Sequence, residues 1–467
     1  MQILKKIIEK YTKFSIDAKH LFNHTELVID NSIFIVENIR NISLELFSSL
    51  IRDMINKIDI KGFLCTEISK KYLPNNINIP IITTTPEIIQ KIIDEYYYKR
   101  PKKIIGITGS YGKTTTTQIL FNLLKKMNIK TFMNNSRGFT GIEKNFLKVT
   151  VTGTPSNLDL KRILHESVNN DIEVAILEVT HAGIHQNRIK DIKFDGGIFT
   201  GFTKDHVEYF KNLKDYYDCK ESFIKTLPIK VVNEEIFTNK FSKNLHNLDK
   251  IPHIVYGESI NNITDSSFTY KNVMYKKSFN LPYYIKNNLI ASMILLYELG
   301  YKDVFNHMNI SIPLPGIIEK VGVTKTGAEI YIDNAYRLNV IEKIINIFKK
   351  KKRIILVTGA GGNRNRGNTY RRDIGNFSKK TYITIVTDEN PREEDPKKIR
   401  KQIIGKNSMI FDISSRILGI QTAINMAAKN HVILIIGKGA EKSIIYKNYT
   451  SYISDKESVK FCLLNIN

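Results

Sequence analysis

Lys103 to Met127 constrains this chain more than any other stretch. Lys103-Ile104-Ile105-Gly106-Ile107-Thr108 is an apolar run with the length of a buried strand, and Thr114 to Met127 carries the apolar period of a helix. Between them stands Gly109-Ser110-Tyr111-Gly112-Lys113. Two glycines let backbone N–H groups turn toward an anion, and the following helix N-terminus adds a favourable dipole. Lys113 is placed to reach the β- and γ-phosphates of ATP, and the Thr114 hydroxyl to ligate Mg²⁺. The usual glycine spacing wants Gly at position 107, where this chain has Ile, so the loop is a variant. The expectation is an ATP-binding α/β protein.

The rest of the chain repeats this grammar. Val174 to Val179 and Gly197 to Thr200 read as further strands that end in polar clusters. Three similar units follow near the C-terminus. Ile354 to Thr358 runs into Gly359-Ala360-Gly361-Gly362, Tyr382 to Thr387 into Asp388-Glu389-Asn390-Pro391-Arg392, and His431 to Ile436 into Gly437-Lys438-Gly439-Ala440-Glu441. Such units build a parallel sheet whose ligands gather at the carboxyl ends of the strands, so the three loops are expected to lie near one another. Boundaries are expected before Pro101 and around Pro313 to Gly316, giving domains 1–100, 101–314 and 315–467. At the N-terminus Ile3, Leu4, Ile7, Ile8 and Tyr11 share one face of an amphipathic helix, interrupted by charges too often to be a signal-peptide core.

Charge narrows the function classes. Seventy Lys+Arg against 46 Asp+Glu give +24, which suits nucleic acid, anionic membrane or small anionic substrates. The lysines are spread along the whole chain without a nucleic-acid-binding signature, so a compositional bias accounts for most of them. Arginine is scarce, yet Arg364, Arg366, Arg371 and Arg372 fall together, a pattern suited to planar recognition of carboxylate or phosphate. No apolar run approaches the ~20 residues that cross a bilayer. Cys65, Cys219 and Cys462 have no paired spacing, which argues against a disulfide framework or zinc site and for a cytoplasmic setting.

The loop Thr108-Gly109-Ser110-Tyr111-Gly112-Lys113-Thr114-Thr115 resembles the phosphate loop of the Mur ligase family, and the likeness continues in order. Glu178-Val179-Thr180, Phe199 to His206, Tyr217-Asp218-Cys219-Lys220, Asn288 and Leu314-Pro315-Gly316 all match family segments. Gly359 to Arg364, Asn390-Pro391-Arg392 and Gly437 to Glu441 are most similar to the diaminopimelate-adding branch. The resemblance implies a three-domain α/β fold, with a central ATPase-like parallel sheet and a C-terminal Rossmann-like domain. It implies a monomeric, cytoplasmic ligase of peptidoglycan synthesis that uses ATP and Mg²⁺. The reaction implied joins meso-diaminopimelate to UDP-N-acetylmuramoyl-L-Ala-D-Glu, with no nucleic-acid partner and no membrane span.

The roles it implies are specific. Gly109, Ser110, Gly112, Lys113, Thr114, Thr115, Asn288 and Asp333 would hold ATP. Thr114, Glu178, His206 and Lys220 would hold metal, the last once carbamylated, and Lys113, Glu178, His206 and Lys220 form the catalytic set. Thr154, Pro155, Thr180 and Arg188 would bind the acceptor. Read by themselves, Glu178 is a hard oxygen ligand at a strand end or a capping acid, His206 a ligand or a structural histidine, and Lys220 a solvated helix lysine. Arg364, Asn390, Pro391, Arg392, Gly437 and Glu441 would hold the amino acid. Two guanidinium groups for carboxylate and one carboxylate for an ammonium suit its unreacting zwitterionic end.

The chain departs from the family pattern at Glu389, Thr180-His181-Ala182, Ile317 and Tyr336, and residues 1–100 offer only Asp30-Asn31-Ser32 toward a uridine site. These departures leave open a related ligase with another acceptor, such as a secondary-metabolite or polyglutamate ligase, or a non-catalytic nucleotide-binding relative.

Overall fold

The computed structural model describes residues 2–23, 29–36, 43–141, 153–203, 210–264, 267–276, 283–307, 315–336, 338–349, 352–362 and 367–465. The chain divides into two compact units, Met1–Ile310 and Ser311–Asn467. No helix among the described residues is long and apolar enough to cross a membrane.

The first unit holds two parallel sheets. Strands β1 (His20–Phe22), β2 (Ser32–Val36), β3 (Ile60–Cys65) and β4 (Ile81–Thr83) lie in that order. The helix Gln2–Tyr11 packs Leu4, Ile7 and Ile8 into the core of this sheet. Ile3, expected on the same face, is instead 65% exposed. At 100° per residue it stands ~90° from the centre of the buried stripe, at the stripe's edge.

The second sheet contains β5 (Lys103–Thr108), β6 (Thr131–Asn135), β7 (Gly138–Thr140), β8 (Val174–Glu178), β9 (Gly196–Phe199), β10 (Ile229–Asn233) and β11 (Ile254–Tyr256). Their order is β11-β10-β9-β5-β8-β6-β7, parallel except for the β6–β7 hairpin. Strand β5 is central, with Ile104, Ile105 and Ile107 at most 1% exposed. Each such side chain stabilises the fold by ~1.5–3 kcal/mol relative to an exposed one, so this run cannot sit at an edge. Strands β8 and β9 fall on opposite sides of β5, which opens a crevice at its carboxyl end. Gly106 lets the helix Leu213–Thr226 approach β5, because a Cβ there would overlap Phe223. That approach brings Lys220 toward the same strand end. A small antiparallel pair, β12 (Ser267–Tyr270) and β13 (Val273–Lys276), completes the described strands of this unit.

The second unit is built on β14 (Glu319–Val323), β15 (Glu329–Asp333), β16 (Arg353–Thr358), β17 (Ile383–Val386), β18 (Ile410–Asp412) and β19 (His431–Ile436). The order is β14-β15-β19-β16-β17-β18, with only β14 antiparallel. Strands β19, β16 and β17 are adjacent, so the three polar loops foreseen from the sequence do leave neighbouring strand ends. A short hairpin, β20 (Ile444–Ile445) and β21 (Thr450–Ser451), follows the last of them.

Candidate active site

The glycine loop turns into the helix Lys113–Lys126 through Gly112, whose φ of 81° is left-handed and suits glycine. No side chain caps this helix, so the N–H groups of its first turn, from Lys113, Thr114 and Thr115, face the loop without a capping partner. Lys113 folds back over the loop, with Nζ 3.0 Å from the Gly109 carbonyl and 3.9 Å from Glu178 Oε1. The Thr114 hydroxyl donates to Glu178 Oε2 at 2.9 Å. Glu178 ends β8 beside β5 and is buried. A hydroxyl and a carboxylate, both hard oxygen donors beside an anion-binding helix end, are the kind of ligands that Mg²⁺ takes. Among the described residues no group of three or more His, Cys, Asp or Glu forms a protein-only metal cage.

The other loop residues divide by direction. Ser110 donates its N–H to Gly201 and turns its hydroxyl inward, 3.0 Å from Tyr216 Oη. Gly109 lies against Thr200, whose hydroxyl bonds the carbonyls of Thr108, at 3.1 Å, and of Tyr111. The amide of Asn288 lies against Gly112. Lys220 is not a solvated lysine. It is 1% exposed, and its Nζ stands 4.9 Å from the centre of the Tyr216 ring. Tyr216 thus touches both the loop and the buried lysine, and the sequence pattern around it gave no sign of either contact. His206 lies outside the described residues.

Thr154, Pro155, Thr180 and Arg188 gather next to Glu178. Thr154 is buried, and its hydroxyl donates to the Glu178 carbonyl at 2.9 Å while accepting from the Thr180 N–H at 2.9 Å. Thr180 caps the helix His181–His185, and Arg188 Nη1 donates to the Thr154 carbonyl at 2.7 Å. Pro155 is buried in this turn.

In the second unit the loops after β16, β17 and β19 interlock. Gly362 donates to the Asn390 carbonyl, and a Cβ on Gly362 would overlap the carbonyl of buried Pro391. Asn390 and Arg392 both have positive φ, at 37° and 55°, a conformation that few non-glycine residues adopt. The β20 segment pins them there. Ile445 donates its N–H to Asn390 Oδ1 at 2.9 Å, and its carbonyl accepts from the Arg392 N–H at 3.0 Å. Asn390 Nδ2 donates to Glu441 Oε2 at 2.7 Å. The same oxygen accepts from Lys438 Nζ at 3.3 Å, while half of the Glu441 side chain remains exposed. Gly437 lies under the Glu389 carboxylate. Burial lowers the Lys438 pKa, and Glu441 pulls it back. Burial raises the Asp388 carboxyl above its ordinary value, opposed by Arg400 and the Tyr446 hydroxyl.

The structure gives two of the expected residues partners within the chain. Arg371 recognises a carboxylate as its clustering suggested, but that of Glu394 in the same chain, through two contacts at 2.8 and 3.0 Å. Asp333 sits at the end of β15 and accepts the N–H groups of Ile318 and Ala335, each at 2.7 Å, which fixes the turn that follows the strand. Arg364 lies outside the described residues. Beneath the loops, Arg416 forms a bidentate pair with Asp455 at 2.7 and 2.8 Å and also donates to Thr387 and the Ile436 carbonyl. These residues were missed because their partners are far apart in the chain.

Fold and site together define an α/β protein with a phosphate loop at the carboxyl end of a parallel sheet. Residues 107–313 match the Mur ligase middle domain, and residues 318–439 match the family described as Mur ligase, glutamate ligase domain. UDP-N-acetylmuramoyl-L-alanyl-D-glutamate–2,6-diaminopimelate ligase of Helicobacter pylori strain J99 is 30% identical over 388 residues, which cover 79% of this chain and 86% of that one. The protein of the same name from Buchnera aphidicola of Schizaphis graminum is 31% identical over 417 residues, 82% of each chain. In fold, the MurF ligase of Thermotoga maritima in complex with ADP aligns with a TM-score of 0.65 at 16% identity, covering 96% of this chain and 97% of that one. The chain belongs to the Mur ligase family.

Proposed function

We propose that this protein is an ATP-dependent carbon–nitrogen ligase that adds meso-2,6-diaminopimelate to UDP-N-acetylmuramoyl-L-Ala-D-Glu during peptidoglycan precursor synthesis. The observation that carries this reading is the meeting of Lys113, Thr114 and Glu178 at the carboxyl end of β5. The named relatives support the substrates.

In this reading the free carboxylate of the acceptor attacks the γ-phosphorus of ATP. An acyl phosphate forms and ADP leaves. The amine of diaminopimelate then attacks the acyl carbon, the amide bond forms, and inorganic phosphate departs. Lys113 and the helix N-terminus neutralise the phosphate oxygens, and Thr114, Ser110, Gly109, Gly112 and Thr115 form the cradle. Asn288 and Asp333 serve the nucleoside end. Thr114, Glu178, His206 and carbamylated Lys220 would hold Mg²⁺, which supplies charge neutralisation between phosphate oxygens. The burial of Lys220, 1% exposed, fits a lysine that works inside the site rather than at the surface.

Thr154, Pro155, Thr180 and Arg188 orient the acceptor. Arg364 and Arg392 hold the distant carboxylate of the amino acid, Glu441 holds its ammonium, and Asn390, Pro391 and Gly437 shape the receptor between them. The working domains in this proposal are 1–100 for the nucleotide-sugar acceptor, 101–314 for ATP, and 315–467 for the amino acid. The enzyme acts in the cytoplasm as a monomer, with small-molecule substrates and no nucleic-acid partner.

An acceptor carrying ¹⁸O in its terminal carboxylate tests the mechanism and product together. The expected outcome is one labelled oxygen in the released phosphate and a tripeptide product of the right mass. Product without label in phosphate contradicts the acyl-phosphate step.

A further inference from the structure

The tip of the β6–β7 hairpin reaches the candidate metal site. Asn135 pairs with Gly138 across a two-residue turn made by Ser136 and Arg137. The turn is fixed from within. Buried Asn135 donates through Nδ2 to Thr117 Oγ1 at 3.1 Å, one helical turn beyond Thr114, and accepts from the Arg137 N–H at 2.9 Å. Ser136 is thereby held opposite Thr114. Its N–H donates to Glu178 Oε2 at 3.2 Å, and its hydroxyl lies 3.0 Å from Thr114 Oγ1. One residue therefore touches both oxygen donors offered to the metal.

The hydrogen-bond directions sharpen its role. Thr114 gives its only hydroxyl proton to Glu178, so the Ser136 hydroxyl donates to Thr114. A metal taken up between Thr114 and Glu178 draws a lone pair from each and competes with the bond that joins them. The Thr114 proton then needs another acceptor, and Ser136 Oγ is already at bonding distance.

We propose that Ser136 is a positioning residue for Mg²⁺. Its backbone N–H orients the Glu178 carboxylate, and when the metal binds its hydroxyl turns its own proton away and accepts the hydrogen bond that Thr114 had given to Glu178. The inference rests on the ATP-ligase reading above and adds to it a residue that touches no substrate.

The test uses the full chain with ATP and no acceptor, following Mn²⁺ in place of Mg²⁺ by electron paramagnetic resonance. In Ser136→Ala the affinity of the protein–ATP complex for Mn²⁺ is expected to fall at least ~10-fold, whereas ATP binding in EDTA stays within about twofold of wild type. Ser136→Thr keeps the hydroxyl and should retain the wild-type Mn²⁺ affinity. Unchanged Mn²⁺ affinity in Ser136→Ala, an equal loss of ATP binding in EDTA, or a Thr variant as weak as Ala would each overturn the proposal. A wild-type chain that binds no Mn-ATP would instead defeat the ligase reading itself, so the two failures are distinguishable.

Discussion

Asn390 donates its side-chain amide to Glu441 Oε2 at 2.7 Å, joining the loop after β17 to the loop after β19. The bond orients a carboxylate that also meets Lys438 Nζ at 3.3 Å and has half of its side chain in solvent, and in the proposed function that carboxylate holds the ammonium of the amino acid. Hydrogen bonds to charged groups contribute ~1.5–3 kcal/mol, which converts to roughly 10- to 150-fold in affinity. Glu441→Gln should therefore raise the KM for diaminopimelate within that range and leave the KM for ATP unchanged. Steady-state kinetics with each substrate varied in turn checks the split.

At the other site, Glu178 is bonded by Thr114 and lies near Lys113. Removing preorganised charge stabilisation of this kind costs ~10²–10³ in rate. Lys113→Ala and Glu178→Gln should each lose that much kcat. Lys113→Ala should also weaken nucleotide binding, measured by calorimetry with ADP.

The Arg416–Asp455 pair is buried, with both side chains almost wholly enclosed. Breaking such a pair from one side leaves an uncompensated charge and costs ~3–5 kcal/mol. Asp455→Ala should lower Tm by roughly 6–20 °C for a unit of this size, as read by thermal melting. Replacing both partners with apolar residues should recover much of that loss.

His431 begins β19, and its Nδ1 accepts the Ala428 N–H at 3.0 Å. Burial, with the Arg353 charge adding to it, lowers its pKa from 6.5. A lowered value means that the folded state binds fewer protons than the unfolded one. The associated stability is therefore complete above pH 6.5 and is lost as pH falls through the depressed pKa. Denaturant titrations should show wild-type stability declining below pH 6.5, with a shallower decline in His431→Asn.

Much of this was legible in local sequence. The run Lys103–Thr108 and the run His431–Ile436 are strands over the residues expected, because apolar stretches of that length between turn signals have little choice. The motif residues Thr114 and Glu178 also declared themselves, since a strand end fixes where a carboxylate points. What escaped were roles set by partners distant in the chain. Lys220 reads as an ordinary helix lysine until the close approach at Gly106 seats its helix on β5. Ser136 drew no attention in the sequence, because its contact with Thr114 exists only once the hairpin folds over that residue. Arg416 finds Asp455 across 39 positions, a pairing that no local pattern announces.

The most direct test of the central claim is phosphate release from Mg-ATP and UDP-N-acetylmuramoyl-L-Ala-D-Glu with meso-diaminopimelate, L-lysine or no amino acid. The account predicts sustained release only with diaminopimelate, and a loss of that preference in Arg392→Ala. Release with lysine and none with diaminopimelate would contradict the carboxylate receptor built around Asn390, Arg392 and Glu441.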